Sequence, residues 1–483
     1  MSLLQDLQEA VGSANVQTDS QALAPLLVDN RNRFFGQVLC ACFPASTEEV
    51  ARVMAICHRH AALVFTQGGN TGNCAAATPV VSEADARRSV LISLRRMRSI
   101  ERVDPLNDTM TVEAGAILQD VRDAAEDHGR LFPVSLAAQG SCTIGGLLST
   151  NAGGVHVVRY GNMREQCLGL EVVLSDGRVL DMLRGLRKDN TGYDLKHLFI
   201  GSEGTLGVIT RAQLKLSPLP VARSVYVLAF SRLSAAGNVF NALHTLFGPQ
   251  LSAFELMHVD TIRMVARELP QIPIGFDLSA PWYVLVECEY NDTRQAERLQ
   301  SAALSVLENL LEDGTLSDAT LAQSEAQCEA LWRVRESIPS AHKHAGGNVK
   351  HDISVQRNDL ADFVETTNAR LQSRFDWIAP SVFGHFGDGN LHYNMGVREG
   401  FDRRLCFDHE EAIHAIVYDA VKRFNGSVAA EHGVGRLKTR LLNDVKSPEE
   451  LHLMRLVKRV FDPDNRLNPG AVIDLKESIA CDD

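Results

Sequence analysis

Ten cysteines occur without a single CxxC pair, which excludes a zinc ribbon, a thioredoxin-like motif and a ferredoxin-type cluster run. No GxGxxG follows a strand and no GxxxxGK(S/T) occurs, so the two commonest nucleotide fingerprints are missing. HExxH is absent too. His409-Glu410 with His414 is one residue off, and five steps around a helix leave those imidazoles about 140° apart, too far to share an ion. Basic charge is in deficit, with 48 Lys plus Arg against 60 Asp plus Glu for a net −12, which disfavours general affinity for nucleic acid or anionic membrane. No apolar run reaches the roughly 18 residues that span a bilayer. The opening MSLLQDLQEAVGSANVQTD lacks the basic flank of a targeting peptide and reads as a short amphipathic surface helix. With scattered cysteines in apolar surroundings, the expectation is a cytoplasmic protein with reduced thiols.

What is present describes an ordinary globular chain. Its 483 residues, 45% apolar and 22% charged, allow a sizeable core and, at about 150 residues per domain, two to four domains. Residues 44–66 read as a helix capped by Ser46 and Glu49, with Val50, Val53, Met54 and Cys57 at helical spacing, followed by the strand ALVFT. Short strand-like runs dominate to about 216, including a hairpin through Asp176-Gly177. Strands such as YVLAF, YVLVECEY and SVFGHF then alternate with helical stretches at 293–312 and 403–424, and another helix is expected around 447–461. The fold class is α+β, with two α+β domains and a C-terminal segment.

Glycine is concentrated in QGGNTG (67–72), GSCTIGGLLSTNAGG (140–154) and GSEGTLG (201–207). Such loops let backbone N–H groups approach a pyrophosphate without a basic side chain. After GGNTG the chain reads Asn73-Cys74-Ala75-Ala76-Ala77-Thr78-Pro79, where alanine takes positive φ only at a cost.

The sharpest constellation is SVFGHFGDGNLHYN (381–394). Reading Gly387 to Asn390 as a four-residue turn sets His385 opposite His392, close enough to share an ion, with Asn394 on the same face. AAEHGVG (429–435) offers Glu431 as a third ligand, and two imidazoles plus a carboxylate suit zinc or another divalent ion. The same residues also describe a plain structural hairpin. Arg335 and Lys350 are candidate cations for an anionic substrate.

GGNTG, GSCTIGGLLSTNAGG, LRKDNTGYDLKHLFIGSEGTLGVIT (186–210), HxGDGNLH, EHG and the terminal LNPG (467–470) resemble the vanillyl-alcohol-oxidase and para-cresol-methylhydroxylase flavoproteins, over most of residues 35–475. The D-2-hydroxyglutarate and D-lactate dehydrogenase branch is the one most resembled. That resemblance implies an N-terminal helical extension (1–34), a two-subdomain FAD-binding domain (35–220), a substrate or cap domain with a mainly antiparallel sheet covered by helices (221–425), and a small helical segment returning to the flavin (426–483). It implies non-covalent FAD, its pyrophosphate held by Gly68, Gly69, Asn70, Thr71 and Gly72. Gly140, Ser141, Gly145, Gly146, Asn151 and Gly153 would follow the isoalloxazine and ribityl side, Val208 and Ile209 the adenine half, and Asn468 the flavin edge. His385, His392 and Glu431 would ligate zinc or another divalent metal, with His432 as catalytic base and Glu431 and His432 diverging as neighbours on an extended segment. Arg335, Lys350, Asn394 and His432 would bind substrate, although the family threonine of this group is Pro339 here. The implied reaction oxidises a D-2-hydroxy acid, D-2-hydroxyglutarate first, with D-lactate, D-malate or a glycolate-oxidase-like role as alternatives. Electrons would pass to an electron-transfer flavoprotein or a quinone, and the chain would be a homodimer.

Overall fold

A computed structural model describes residues 2–475. They divide into two compact units, one of residues 2–153, 161–219 and 431–475 and one of residues 154–160 and 220–430. No described helix is long and apolar enough to cross a membrane, and all nine described cysteines are buried free thiols.

In the first unit, the helix Thr47–Arg59 begins where Ser46 Oγ accepts the Glu49 amide at 3.3 Å. The reciprocal arm of the expected capping box reaches one residue further back, Glu49 Oε2 accepting from the Ala45 amide at 2.8 Å. Glu48 and Glu49 in the first turn and His58 and Arg59 in the last suit the helix dipole. Val50, Val53, Met54, Ile56 and Cys57 bury its inner face. The helix crosses over between Cys40–Cys42 and Leu63–Gln67, which lie parallel to Ser89–Ser93 between them. Val16–Gln17 adds an antiparallel edge. A second, antiparallel sheet runs in the order Ile100–Asp104, Thr109–Glu113, Val208–Lys215, Cys167–Val173, Val179–Asp181. Its last pair is the hairpin expected at Asp176-Gly177, where Gly177 takes φ +89°.

Residues 1–34, expected as an extension, belong to this unit as far as they are described. Leu7 of the helix Leu3–Val11 is fully buried in its core, and truncating it to alanine is worth about 2–5 kcal/mol. The chain end also returns here. Val64 donates to Arg466 O and Asn468 donates to Val64 O, each at 2.8 Å, laying Leu467 beside the strand Leu63–Gln67.

The second unit is built on one seven-stranded sheet, ordered Asp318–Leu321, Ala222–Phe230, Trp282–Tyr290, Leu251–His258, Ile378–His385, Asn390–Val397, Asp352–Ser354, with every pairing antiparallel. Helices Ala235–Phe247, Thr293–Glu312 and Glu325–His344 are among those packed on it. Residues 154–160, which sequence places in the cofactor domain, join this unit instead. His156 Nε2 lies 3.0 Å from Glu287 Oε1, and Arg159 and Tyr160 donate to Glu289. Burial alone would raise Glu287, but His156 and Arg223 outweigh it and hold the carboxylate down at about 2. Trp332 Nε1 at 2.8 Å and Ser252 Oγ at 3.1 Å complete its shell.

Candidate active site

The glycine loops of the first unit line one cleft, walled by Gly68, Gly69, Asn70, Thr71, Gly72, Gly145, Gly146, Val208 and Ile209. Two of these glycines have no substitute. A Cβ on Gly68 would lie 2.1 Å from Thr143 Oγ1, and one on Gly69 would lie 2.0 Å from Ser141 O. The loop after Leu63–Gln67 therefore lies flush on residues 141–143, leaving its backbone to the cleft. Asn70 braces this loop from behind, its Nδ2 donating to Val28 O at 2.9 Å.

Five expected cofactor residues stand outside the lining: Gly140, Ser141, Asn151, Gly153 and Asn468. Ser141 contributes its carbonyl as the bed for Gly69. Asn151 ends the helix Ile144–Thr150 at φ +52°, and its Oδ1 accepts from Arg164 N at 3.0 Å. Asn468 is buried, its Nδ2 donating to Ala76 O at 2.9 Å and Glu203 O at 2.8 Å while Oδ1 accepts from Arg436 at 2.6 Å. It ties the C-terminus to the cleft wall rather than facing the cleft. The alanine stretch does enter the lining, and Ala75 adopts φ +57° there.

His432 lines the same cleft, as does Glu203, a residue the sequence reading passed over. Glu203 Oε1 accepts from Val434 N at 2.8 Å, and Oε2 accepts from Gly435 N at 2.9 Å. Burial pushes this carboxyl up to about 7 against the pull of those two amides and of Lys438. An acid flanked by glycines in GSEGTLG was the available signal. Glu431 and His432 do not diverge as an extended segment would require. They sit in a bend, with Glu431 Oε1 3.4 Å from His432 Nε2.

In the second unit, the hairpin register differs from the expected one. His385 pairs with Asn390 and His392 with Phe383, because the loop is Phe386–Gly389 rather than 387–390. Gly389 takes φ +83°, and Asp388 Oδ1 accepts the Asn390 amide at 3.0 Å, which closes the turn one residue early. Alternation along the strands still leaves His385 and His392 on one face as diagonal neighbours, ring centroids 5.3 Å apart at 77°. Ser381 and Asn394 pair directly on that face, where Asn394 Oδ1 accepts from His351 N at 3.2 Å.

Beside them lies a second carboxylate absent from the sequence reading. Glu255 is fully buried, with Oε1 2.8 Å from His385 Nδ1 and Oε2 2.7 Å from Arg335 Nη2. Burial would raise it, yet His385 and Arg335 hold it below the ordinary carboxylate range. A lone acid in the apolar strand run LSAFELMH was its signal, because such a charge is tolerated only when partnered. Arg335 is itself buried, 5.0 Å over the Phe383 ring. Its contact to Glu255 falls off the N–H directions, so Nε and Nη2 have no hydrogen-bond acceptor among the described residues. Lys350 is exposed and close enough to lower His342, which burial chiefly brings down to about 4 and which meets Ser381 Oγ at 2.6 Å. Pro339 lies inside the helix Glu325–His344, where it leaves the Arg335 carbonyl without its helical donor. His409 and His414 have separate partners: the former packs against Phe375 and Trp377, the latter meets His351 at 2.8 Å.

Comparison with known proteins follows this architecture. Residues 38–183 match an FAD binding domain, and residues 219–472 match the C-terminal domain of FAD linked oxidases. The chain is 38% identical over 463 residues to D-2-hydroxyglutarate dehydrogenase of Bos taurus, covering 95% of this chain and 81% of that protein. It is 35% identical over 472 residues to D-2-hydroxyglutarate dehydrogenase of Xanthomonas citri pv. viticola, covering 98% and 97%. Among solved structures, p-cresol methylhydroxylase with substrate bound superposes at a TM-score of 0.74 and 17% identity, over 99% of this chain and 97% of that one, a likeness of fold.

Proposed function

The chain belongs to the FAD-linked oxidase family that includes the D-2-hydroxyglutarate dehydrogenases, and from that premise we propose that it oxidises a D-2-hydroxy acid, D-2-hydroxyglutarate first, to the 2-oxo acid. FAD bound in the glycine-lined cleft would supply the hydride acceptor. The fit is chemical: a Cβ on Gly68 or Gly69 would clash with residues 141–143, and a loop of bare backbone of this kind would meet a pyrophosphate with amides rather than cations. A divalent ion held by His385, His392 and Glu431 would polarise the substrate oxygens. The donor set suits it, because an Nδ1–H given to Glu255 puts the lone pair of His385 on Nε2.

This chain's own groups then divide the work. Arg335, with Lys350, binds substrate carboxylate, and a buried guanidinium whose Nε and Nη2 make no aligned hydrogen bond among the described residues is the observation that carries the reading. Asn394 orients the acid on the histidine face. His432, which lines the glycine-rich cleft, accepts the proton of the C2 hydroxyl through its imidazole. Electrons leave to a separate acceptor such as an electron-transfer flavoprotein or a quinone, since the chain carries neither an iron–sulfur motif nor a nicotinamide fingerprint.

The test is product analysis with an artificial electron-accepting dye and a panel of D-2-hydroxyglutarate, D-malate and D-lactate. D-2-hydroxyglutarate should give the highest kcat/KM, with one 2-oxo acid formed per two electrons taken up by the dye. No turnover with any D-2-hydroxy acid would refute the proposal.

A further inference from the structure

We propose that Glu255 is a positioning residue that aims His385 Nε2 at the metal ion and, with its other oxygen, holds Arg335 for the substrate carboxylate; this rests on the metal and substrate reading above. The two strands set up the first half. Glu255 of Leu251–His258 pairs directly across from His385 of Ile378–His385, so both side chains leave the sheet on one face. Its Oε1 then meets Nδ1 at 2.8 Å, and an imidazole that donates there presents Nε2 as its ligand nitrogen. Oε2 sets up the second half by sitting 2.7 Å from Arg335 Nη2. Because that contact lies off the N–H directions, it fixes the guanidinium by charge while sparing Nε and Nη2 for another acceptor. The guanidinium rests over Phe383, whose cross-strand partner is His392. One buried carboxylate thus touches both His385 and Arg335.

The carboxylate accepts from His385 through one oxygen and attracts Arg335 by charge through the other, whereas a glutamine has one acceptor oxygen, no charge, and an N–H2 that must face one of the two. E255Q therefore disturbs either His385 or Arg335 at nearly constant volume. A merely structural ion pair would show as lost stability with normal metal affinity, so metal affinity is the deciding readout.

The experiment strips metal from the FAD-loaded protein and titrates Zn2+ in competition with a chromophoric chelator. Wild type should bind zinc tightly, and E255Q should bind it about 10–100-fold more weakly with an unchanged circular dichroism spectrum. E255Q/R335M separates the two roles: affinity should stay as low as in E255Q, whereas recovery to the wild-type value would mean that Glu255 only neutralises Arg335 and would overturn the proposal. Wild-type affinity in E255Q would overturn it as well. Zinc binding absent from the wild type itself would bring down the metal reading first, a distinguishable failure. A measurement on the unmutated protein guards against variants that do not fold. Nitrogen NMR of the metal-free protein with labelled histidine should show His385 protonated at Nδ1, and the opposite tautomer would overturn the assignment.

Discussion

Glu203 Oε2 accepts the amide proton of Gly435 at 2.9 Å, fixing the backbone three residues beyond His432. Burial raises this carboxyl from its ordinary 4.5 to about 7. An acid raised in the folded state gives stability that is complete below its unfolded value and is lost as pH rises through its folded one. Folding stability should therefore decline between about pH 4.5 and pH 7 and level off above, by an amount on the order of 3 kcal/mol at most. Urea unfolding of E203Q at three pH values checks this. The variant should lose that slope, and an unchanged slope would assign it to other groups.

Replacing His432 by alanine removes an imidazole from the glycine-lined cleft, and on the proposed mechanism it removes the proton acceptor. Flavin reduction should slow by about 10²–10⁴-fold with FAD still bound. Rapid-mixing absorbance against the bound-flavin content of the same sample checks both statements.

His392 lies 5.3 Å from His385, ring centre to ring centre. If the two share an ion, H392A should purify with metal content near zero, and chelator-treated wild type should match its activity and recover with added Zn2+. Elemental analysis is the readout, and full occupancy in H392A would contradict the ligand assignment.

Two substitutions in the cofactor loops should act in opposite directions. G69A places a methyl 2.0 Å from Ser141 O, so it should cost about 1–3 kcal/mol and release FAD. A75G relieves an alanine held at φ +57° and should stabilise the protein by up to about 1 kcal/mol, the strain relieved being partly offset by unfolded-state entropy. Thermal unfolding of the two purified variants, with and without added FAD, checks the signs.

Features set by local periodicity were legible in the sequence. The helix at 293–312 begins and ends as its apolar spacing indicates, after Asp292 caps the Gln295 amide. The hairpin was legible as a hairpin but not in register, since a one-residue shift of its turn depends on Gly389 and the Asp388 side chain. Asn468 was expected at the flavin edge because its motif says only that the chain returns, not what its amide bonds on arrival. Glu203 and Glu255 escaped notice for a common reason. Each is an ordinary acid by spacing and finds its buried partner far along the chain, Gly435 for one and His385 for the other.

The most direct test is anaerobic mixing of the FAD-loaded protein with D- or L-2-hydroxyglutarate while the visible flavin band is followed. The account predicts rapid bleaching by the D-acid, none by the L-acid, and bleaching by the D-acid abolished in R335A. A flavin that stays yellow with the D-acid, or that bleaches equally with both enantiomers, would contradict it.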